Sequence, residues 1–424
     1  MKKLLMLGTA FGSVDIIKRA KDMGLYTIVT DYNEPEKSKA KQYADEYWMI
    51  NTNDLDSLEQ KCRLEQVDAV ISGASDFNCG KAIELCERLG LPSYCSSSTW
   101  LYSVNKFKFK EVCRQEGVTV AKDYYLSNEL SDEELERVAF PVVVKPADQC
   151  GNLGVSYCYN KEELVNAYRY AQSVSNQEDV IVEQMLHGQE YNVYYAMADG
   201  EVHLINAATE HHQPGYPANL YSVITSVSSH VEQFNEEINE KLINVLKQIG
   251  CREGMGWVEL ILNDDGRFYV IEMGYRFGSD MMCTAFDKVC PFDGIKWMIE
   301  CALGEKHEKR QLPLPQSGAY TKCVCSYGFF SSKDGIIGEV SGLDRLSEIP
   351  GVTIDFIREI GDEVAKHRLL GEVVFATDDC EEMLQKIEEV NQILSIKDSN
   401  KEDMMIYFTD YRAVENMYQE GLNL

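Results

Sequence analysis

Gly256-Trp257-Val258-Glu259-Leu260-Ile261-Leu262-Asn263-Asp264-Asp265-Gly266-Arg267-Phe268-Tyr269-Val270-Ile271-Glu272-Met273 is the stretch on which the fold turns. Apolar runs rich in β-branched and aromatic residues flank Asp265-Gly266, the strongest short-range signal for a β-hairpin. With Asp265-Gly266 as a two-residue loop, Asp264 pairs with Arg267. Counting back along the ladder then sets Glu259 directly opposite Glu272. A four-residue loop would shift the pairing by two and keep both on one face. Like charges facing each other destabilise a ladder, so the pattern demands a cation between them. The competing reading is two solvated glutamates on an exposed sheet face. Against it stand the apolar character of both strands and Arg276, four residues beyond Glu272. Hard oxygen ligands suit Mg²⁺, a metal that also carries phosphates.

The 424 residues suggest about three domains, and a 45% hydrophobic content suffices for real cores. No apolar run is long enough to span a bilayer. The N-terminal Met1-Lys2-Lys3-Leu4-Leu5-Met6-Leu7-Gly8 is too short and too strand-like for a secretory signal. The formal charge of −28 argues against nucleic acid and anionic membranes as partners. The 14 cysteines show no metal-like clustering. Cys323 and Cys325 are too close for a zinc knuckle, and Cys283 and Cys290 lack a second pair. A reducing, cytoplasmic setting follows as the expectation.

Four regions emerge: 1–104, 105–185, 186–310 and 311–424. In the first, strands at Leu4–Leu7, Tyr26–Thr30 and Val67–Ser72 alternate with helices at Val14–Met23 and Cys79–Leu89, implying a parallel α/β sheet. Gly8 and Gly12 with Asp31 do not make the dinucleotide fingerprint. Asp31 and Asp76, at strand ends, either line a crevice or cap helices, with capping preferred. The last region opens with Pro313-Leu314-Pro315. It has strands at Ala319–Cys325 and Gly371–Ala376, a helix Cys380–Ile393, and glycines between Ser331 and Gly342 that read as turns. It is expected to be a small C-terminal α+β cap.

Phosphate chemistry points to the second region. Asn105-Lys106-Phe107-Lys108-Phe109-Lys110 opens a helix whose Phe109, Val112 and Cys113 form an apolar stripe. A lysine run on a helix is ordinarily a solvated face. Phe140–Pro146 is a buried strand ending in Lys145, a costly burial unless the lysine meets an anion. It runs into Gln149-Cys150-Gly151-Asn152-Leu153-Gly154-Val155, where Gly151 and Gly154 let backbone N–H groups wrap phosphates. Val180-Ile181-Val182-Glu183-Gln184-Met185-Leu186-His187-Gly188-Gln189-Glu190 then joins two strands.

The ordered set Lys106, Lys145, glycine loop, Glu183, Gly188-x-Glu190, Glu259 and Glu272 through Arg276 resembles the ATP-grasp superfamily over nearly the whole chain. It looks most like the carboxylate–amine ligases of the L-amino-acid ligase and purine-biosynthetic type. Biotin carboxylase and the large subunit of carbamoyl phosphate synthase are more distant relatives. The resemblance implies an ATP-grasp fold behind an N-terminal parallel α/β domain. Lys106 and Lys145 would hold ATP phosphates, Glu183 would read the adenine amino group, and Gln184 and Leu186 would offer backbone groups to the adenine edge. Glu190 would bind the ribose hydroxyls. Glu259 and Glu272 would ligate Mg²⁺, for which Mn²⁺ could substitute, and Arg276 would stand beside the transferred phosphoryl group.

One residue departs from the pattern. The family's Glu-x-Asn-x-Arg is Glu272-Met273-Gly274-Tyr275-Arg276 here, so no side-chain oxygen at 274 serves a second Mg²⁺. Glu210 is the candidate replacement ligand, while His211 and His212 are expected at the mouth of the acceptor pocket. The implied reaction activates a carboxylate as an acyl phosphate, which an amine attacks to give an amide, ADP and phosphate. The expected partners are these small-molecule substrates and a second copy of the chain in a homodimer. Bicarbonate phosphorylation and a non-catalytic nucleotide-binding protein are the alternatives. If the facing glutamates share Mg²⁺, Glu272→Gln will leave the fold intact and remove the metal dependence of nucleotide binding. Unchanged Mg²⁺-dependent ATP binding in calorimetry would refute the pairing argument.

Overall fold

The computed structural model describes residues 1–9, 12–149, 153–175, 180–216, 220–226, 229–278, 282, 288, 292–313 and 322–422. Runs of Leu, Val and Ile buried on both faces require helices on both sides of a sheet. The N-terminal region meets that requirement with four parallel strands: β1 (Lys3–Leu7), β2 (Tyr26–Thr30), β3 (Glu46–Trp48) and β4 (Ala69–Ser72), in the order β3-β2-β1-β4. The helix Asp76–Leu89 follows β4 and ends on Gly90, whose φ of 69° closes the last turn. Asp31, after β2, caps no helix. It is buried and paired to Lys41 at 2.8 Å, so it serves the domain's interior.

The second sheet is small: β5 (Val142–Pro146) lies between β6 (Ser156–Cys158) and β7 (Val180–Gln184). The helix Lys161–Val174 buries Leu164, Tyr168 and Ala171 against Val142, Val144 and Val182. Beneath it lie β8 (Gly188–Ala198), β9 (Glu201–His212), β10 (Tyr221–Thr225), β11 (Gly254–Asn263) and β12 (Phe268–Gly274). The C-terminal region adds β13 (Cys323–Ser331), β14 (Gly335–Ser341), β15 (Thr353–Phe356), β16 (Glu363–Val364), β17 (Leu369–Thr377), β18 (Ser395–Asp398) and β19 (Met405–Ile406). The long sheet runs β12-β11-β8-β9-β10-β13-β17-β15, with β19 on β13. The C-terminal α+β region therefore shares a sheet with the centre, and its helix Cys380–Ile393 buries Met383, Ile387 and Val390.

Two local readings change. The glycines between Ser331 and Gly342 belong largely to a strand, β14. Gly338 is its extra residue, where the register against β18 slips between Ile337 and Glu339. A Cβ there would stand 2.6 Å from the Asp398 carbonyl oxygen, so this glycine serves close backbone approach. In the β11–β12 hairpin the turn has three residues, Asp264-Asp265-Gly266. Asn263 accepts from Gly266 at 2.8 Å and donates to the Arg267 carbonyl at 3.0 Å, with Gly266 at φ 76°. That turn shifts the register by one and sets Leu260 opposite Val270. Ile271 is then a bulged residue, and past it Glu259 does face Glu272. The expected pairing forms through two offsetting one-residue shifts.

The described cysteines carry no disulfide, and no helix among the described residues is long and apolar enough to cross a membrane. Gly188 starts β8 so near β11 that a Cβ would sit 1.9 Å from the Leu262 carbonyl oxygen. Gly188→Ala is expected to cost about 1–3 kcal/mol by forcing the strands apart, read as a lower urea midpoint at unchanged slope.

Candidate active site

A cavity of about 390 Å³ opens between the small sheet and the long one. Its walls include Lys106, Lys145, Glu183, Gln184, Leu186, Glu190, Glu210, Glu259, Glu272 and Arg276. Ten residues singled out from sequence, separated by up to 170 positions, thus converge on one space. Gly154 sits in the adjoining loop at φ 82°, packed so that a Cβ would stand 2.7 Å from Pro146 and Val174 side-chain carbons. Gly151 lies outside the described residues.

The ladder explains the convergence of carboxylates. Glu272 on β12, Glu259 on β11 and Asn192 on β8 occupy one row across the sheet. Glu190, two residues before Asn192, shares its face. Asn192 donates its side-chain amide to Glu210. Burial, then the charges of Glu272 and Glu190, push the Glu259 carboxyl well above the usual carboxylate range. The row is short of positive charge, and its hard oxygen donors are of the kind that suit a divalent ion. The protein supplies part of the deficit itself. Lys106 Nζ lies 2.9 Å from Glu272 Oε2 and donates to the Gln149 carbonyl at 3.1 Å. Burial opposes its charge, but Glu272, helped by Asp76 and Glu259, raises its pKa. Asn105 aims this lysine by capping its helix through the Lys108 N–H at 3.0 Å.

The lysine run is not a solvated face. Lys110 is 1% exposed, bonded to Asp123 at 2.7 Å and to Glu183. Glu183 also holds Lys145, and Arg114 closes the chain on Asp123. Burial alone would raise the Glu183 carboxyl, yet Lys145 and Lys110 together pull it down to about 2. Both Glu183 oxygens thus face lysines in this arrangement, and Lys145 meets a carboxylate. The Lys106–Lys110 spacing of four, which puts both on one helix face, was the signal available for Lys110. Just beyond Glu183, the Gln184 N–H is taken by the Lys122 carbonyl at 2.9 Å, whereas the Leu186 N–H has no protein acceptor among the described residues.

Of the two histidines, His212 faces the cavity and His211 does not. His211 is 3% exposed, its Nε2 is 3.0 Å from Thr225 Oγ1, and burial followed by the neighbouring His212 drives its pKa down to about 3. His212 Nε2 lies 3.3 Å from Glu190 Oε2, and ligand atoms of Glu190, Glu210 and His212 gather within 4.8 Å of one another. Strand alternation separates the adjacent pair, and the carboxylates that meet His212 come from β8 and β9, not from helical spacing.

Arg276 follows β12 and closes its fork on Asp76, with Nε and Nη2 at 2.6 and 2.8 Å from the two carboxylate oxygens. Asp76 is therefore not a helix cap. Ser75 performs that task for the helix Asp76–Leu89. Lys110, Asn192 and Trp257, whose ring lies under Arg276, are the residues that sequence reading passed over, and Asp76 is the one it took for a cap.

Lys110→Met should cost about 3–5 kcal/mol near neutral pH, because it leaves buried carboxylates short of a partner. The depressed Glu183 pKa makes this contribution complete above the ordinary glutamate value of about 4.3. It is lost as pH falls toward about 2. Denaturant unfolding across that interval should show the variant's deficit shrinking, and a constant deficit would contradict the assignment.

Residues 138–284 match the model of the ATP-grasp domain. The chain is 25% identical over 343 residues to the 2-oxoglutarate carboxylase small subunit of Hydrogenobacter thermophilus, covering 76% of this chain and 71% of that one. It spans about a quarter (27%) of the carbamoyl phosphate synthase large chains it also matches. Its fold superposes on L-amino acid ligase from Bacillus licheniformis with a TM-score of 0.76 at 18% identity, covering 94% of this chain and 99% of the other. The biotin carboxylase domain dimer of the Hydrogenobacter enzyme, solved with MgADP, ADP and bicarbonate, gives 0.78 at 18% identity, with 99% and 94% covered. Residues 138–284 thus carry an ATP-grasp domain, and the chain around them shares the fold of these enzymes.

Proposed function

We propose that the chain is an ATP- and Mg²⁺-dependent ligase that activates a small-molecule carboxylate as an acyl phosphate for attack by an amine. The observation that carries this reading is the single cavity in which Lys106, Lys145 and Arg276 surround the facing Glu259–Glu272 pair. The Leu186 N–H would take the adenine edge, and Glu190 beside His212 would take the ribose hydroxyls. Glu259 and Glu272, with Glu210 close by, would hold Mg²⁺. The metal would supply charge neutralisation on the phosphates.

The chain's own residues position and neutralise. Lys145 can exchange Glu183 for phosphate oxygens, and Lys106 can offset charge on the terminal phosphate. A substrate carboxylate oxygen attacks the γ-phosphorus as the bond to the ADP oxygen breaks. The amine then attacks the acyl carbon, phosphate departs with the electron pair of its C–O bond, and the amine loses a proton. No nucleophilic side chain is needed. A second reading, phosphorylation of bicarbonate, draws on the likeness to the 2-oxoglutarate carboxylase small subunit. The dimeric state named for the Hydrogenobacter domain makes a homodimer the expected assembly, and the cytoplasm is the expected compartment.

Carboxylates screened with ATP, Mg²⁺ and hydroxylamine should give hydroxamate and ADP in equal amounts for the right acid. ¹⁸O from the carboxylate should appear in phosphate when the amine is the acceptor. Arg276→Lys should lower this rate about a hundredfold, since a point charge cannot reproduce the fork held by Asp76. ADP release driven by bicarbonate alone, with no hydroxamate from any acid, would favour the second reading. ATP consumption with the true acid but no label transfer would exclude the acyl phosphate.

A further inference from the structure

Gly274 lacks the side-chain amide that the Glu-x-Asn-x-Arg pattern places two residues beyond the second metal glutamate. The hairpin register sets Trp257 directly opposite it. A Cβ built on Gly274 would stand 2.3 Å from Cε2, 2.4 Å from Cζ2 and 2.6 Å from Nε1 of that indole. The ring therefore occupies the volume a residue-274 side chain would need, and the two positions form one complementary unit. The exchange also inverts the chemistry. An amide oxygen can coordinate a cation, whereas an indole N–H can only donate.

Trp257 lines the cavity, and its buried Nε1 has no hydrogen-bond partner among the described residues. A buried donor without an acceptor is costly, so such groups mark places where a ligand completes the pairing. The Arg276 guanidinium carbon lies 5.1 Å from the Trp257 ring centroid, within cation–π range, while Asp76 fixes the fork from the other side. Where the pattern would place a second metal ligand, this chain offers a guanidinium and an unpaired N–H. That combination suits an anion.

We propose that Trp257 and Gly274 convert the second-metal position into an oxyanion subsite, which bars a second divalent ion and binds oxygens of the transferred phosphoryl group through Trp257 Nε1–H beside Arg276. The inference rests on the reading that ATP phosphates occupy this cavity. The subsite replaces a second ion's neutralising charge with Arg276, held in place by an indole face and Asp76.

The full chain is tested in two ways. Mn²⁺ counted by electron paramagnetic resonance, with the β,γ-imido analogue of ATP present, should show one tightly bound ion per chain. The double variant Trp257→Thr/Gly274→Asn, which clears the space and supplies an amide oxygen, should show two. Two ions in the wild type, or one in a double variant that still binds the analogue, overturns the exclusion. Inorganic phosphate is then titrated into the MgADP complex. Trp257→Phe keeps the ring and removes the N–H, so phosphate affinity should fall about tenfold while MgADP affinity changes far less. In wild-type protein labelled with ¹⁵N-tryptophan, one of the four indole signals should move on phosphate addition. Unchanged phosphate affinity in the variant, or four unmoved indole signals, refutes the anion subsite with nucleotide binding intact. Failure of the wild type to bind MgADP refutes instead the nucleotide reading beneath it.

Discussion

Two carboxylates held on the same rung of an antiparallel ladder repel each other, and much of the surrounding architecture supplies positive charge to that rung. Glu259 and Glu272 cannot separate, because both strands are bound into the long sheet and packed on apolar cores. Their repulsion must be met by cations brought to them. Lys106 arrives from the first turn of a capped helix, and Arg276 arrives from the exit of the strand that carries Glu272. Three cations, Lys106, Lys145 and Arg276, line the cavity against five glutamates, so they offset its negative charge only in part. Desolvation strengthens each of these interactions relative to the surface pairs that stud the rest of the molecule.

A second charged system ties the upper wall of the cavity to its base. Lys145 on β5, Glu183 on β7, Lys110 on the helix Lys106–Gln115 and Asp123 form a buried chain of alternating sign. Buried ion pairs add little net stability over apolar packing, but they fix orientation, since breaking one strands a charge. The chain holds Lys145 aimed across the face of the small sheet, where Glu183 lies on the same face one step along the ladder. On the proposed reading, a phosphate oxygen in the cavity would compete with Glu183 for a lysine already desolvated and directed.

Much of this was legible in the chain because its signals are local: strand runs, glycine turns, and a lysine at the end of an apolar strand. The helix Cys380–Ile393 and the strand Tyr26–Thr30 have the bounds their periodicity indicates. The turn of the central hairpin was misread by one residue, and the face-to-face carboxylates survived only because a bulge at Ile271 restores the register. Nothing in the sequence distinguishes a bulge from a continuing strand when both residues are apolar or tolerated on the same face. Gly338 shows the converse: a glycine with no turn, present because another backbone passes too near for a side chain. Lys110 was hidden because burial of a charge depends on partners 13 and 73 residues away.

Gly274 shows most clearly what a one-dimensional reading misses. Taken along the chain it is a lost ligand, since no side-chain oxygen stands where the pattern has one. Taken across the ladder it is half of an exchange, because Trp257 fills the space from the neighbouring strand. The indole in turn supports Arg276, and Arg276 is gripped by Asp76 from the helix that opens after β4. One missing side chain on β12 is thereby coupled to a carboxylate nearly 200 positions earlier. The orientation of the guanidinium depends on the packing of the N-terminal domain as well as on the hairpin. A substitution at residue 274 therefore alters Trp257, Arg276 and the seat of the N-terminal domain together, and the position is constrained by neighbours on three elements rather than by its own chemistry.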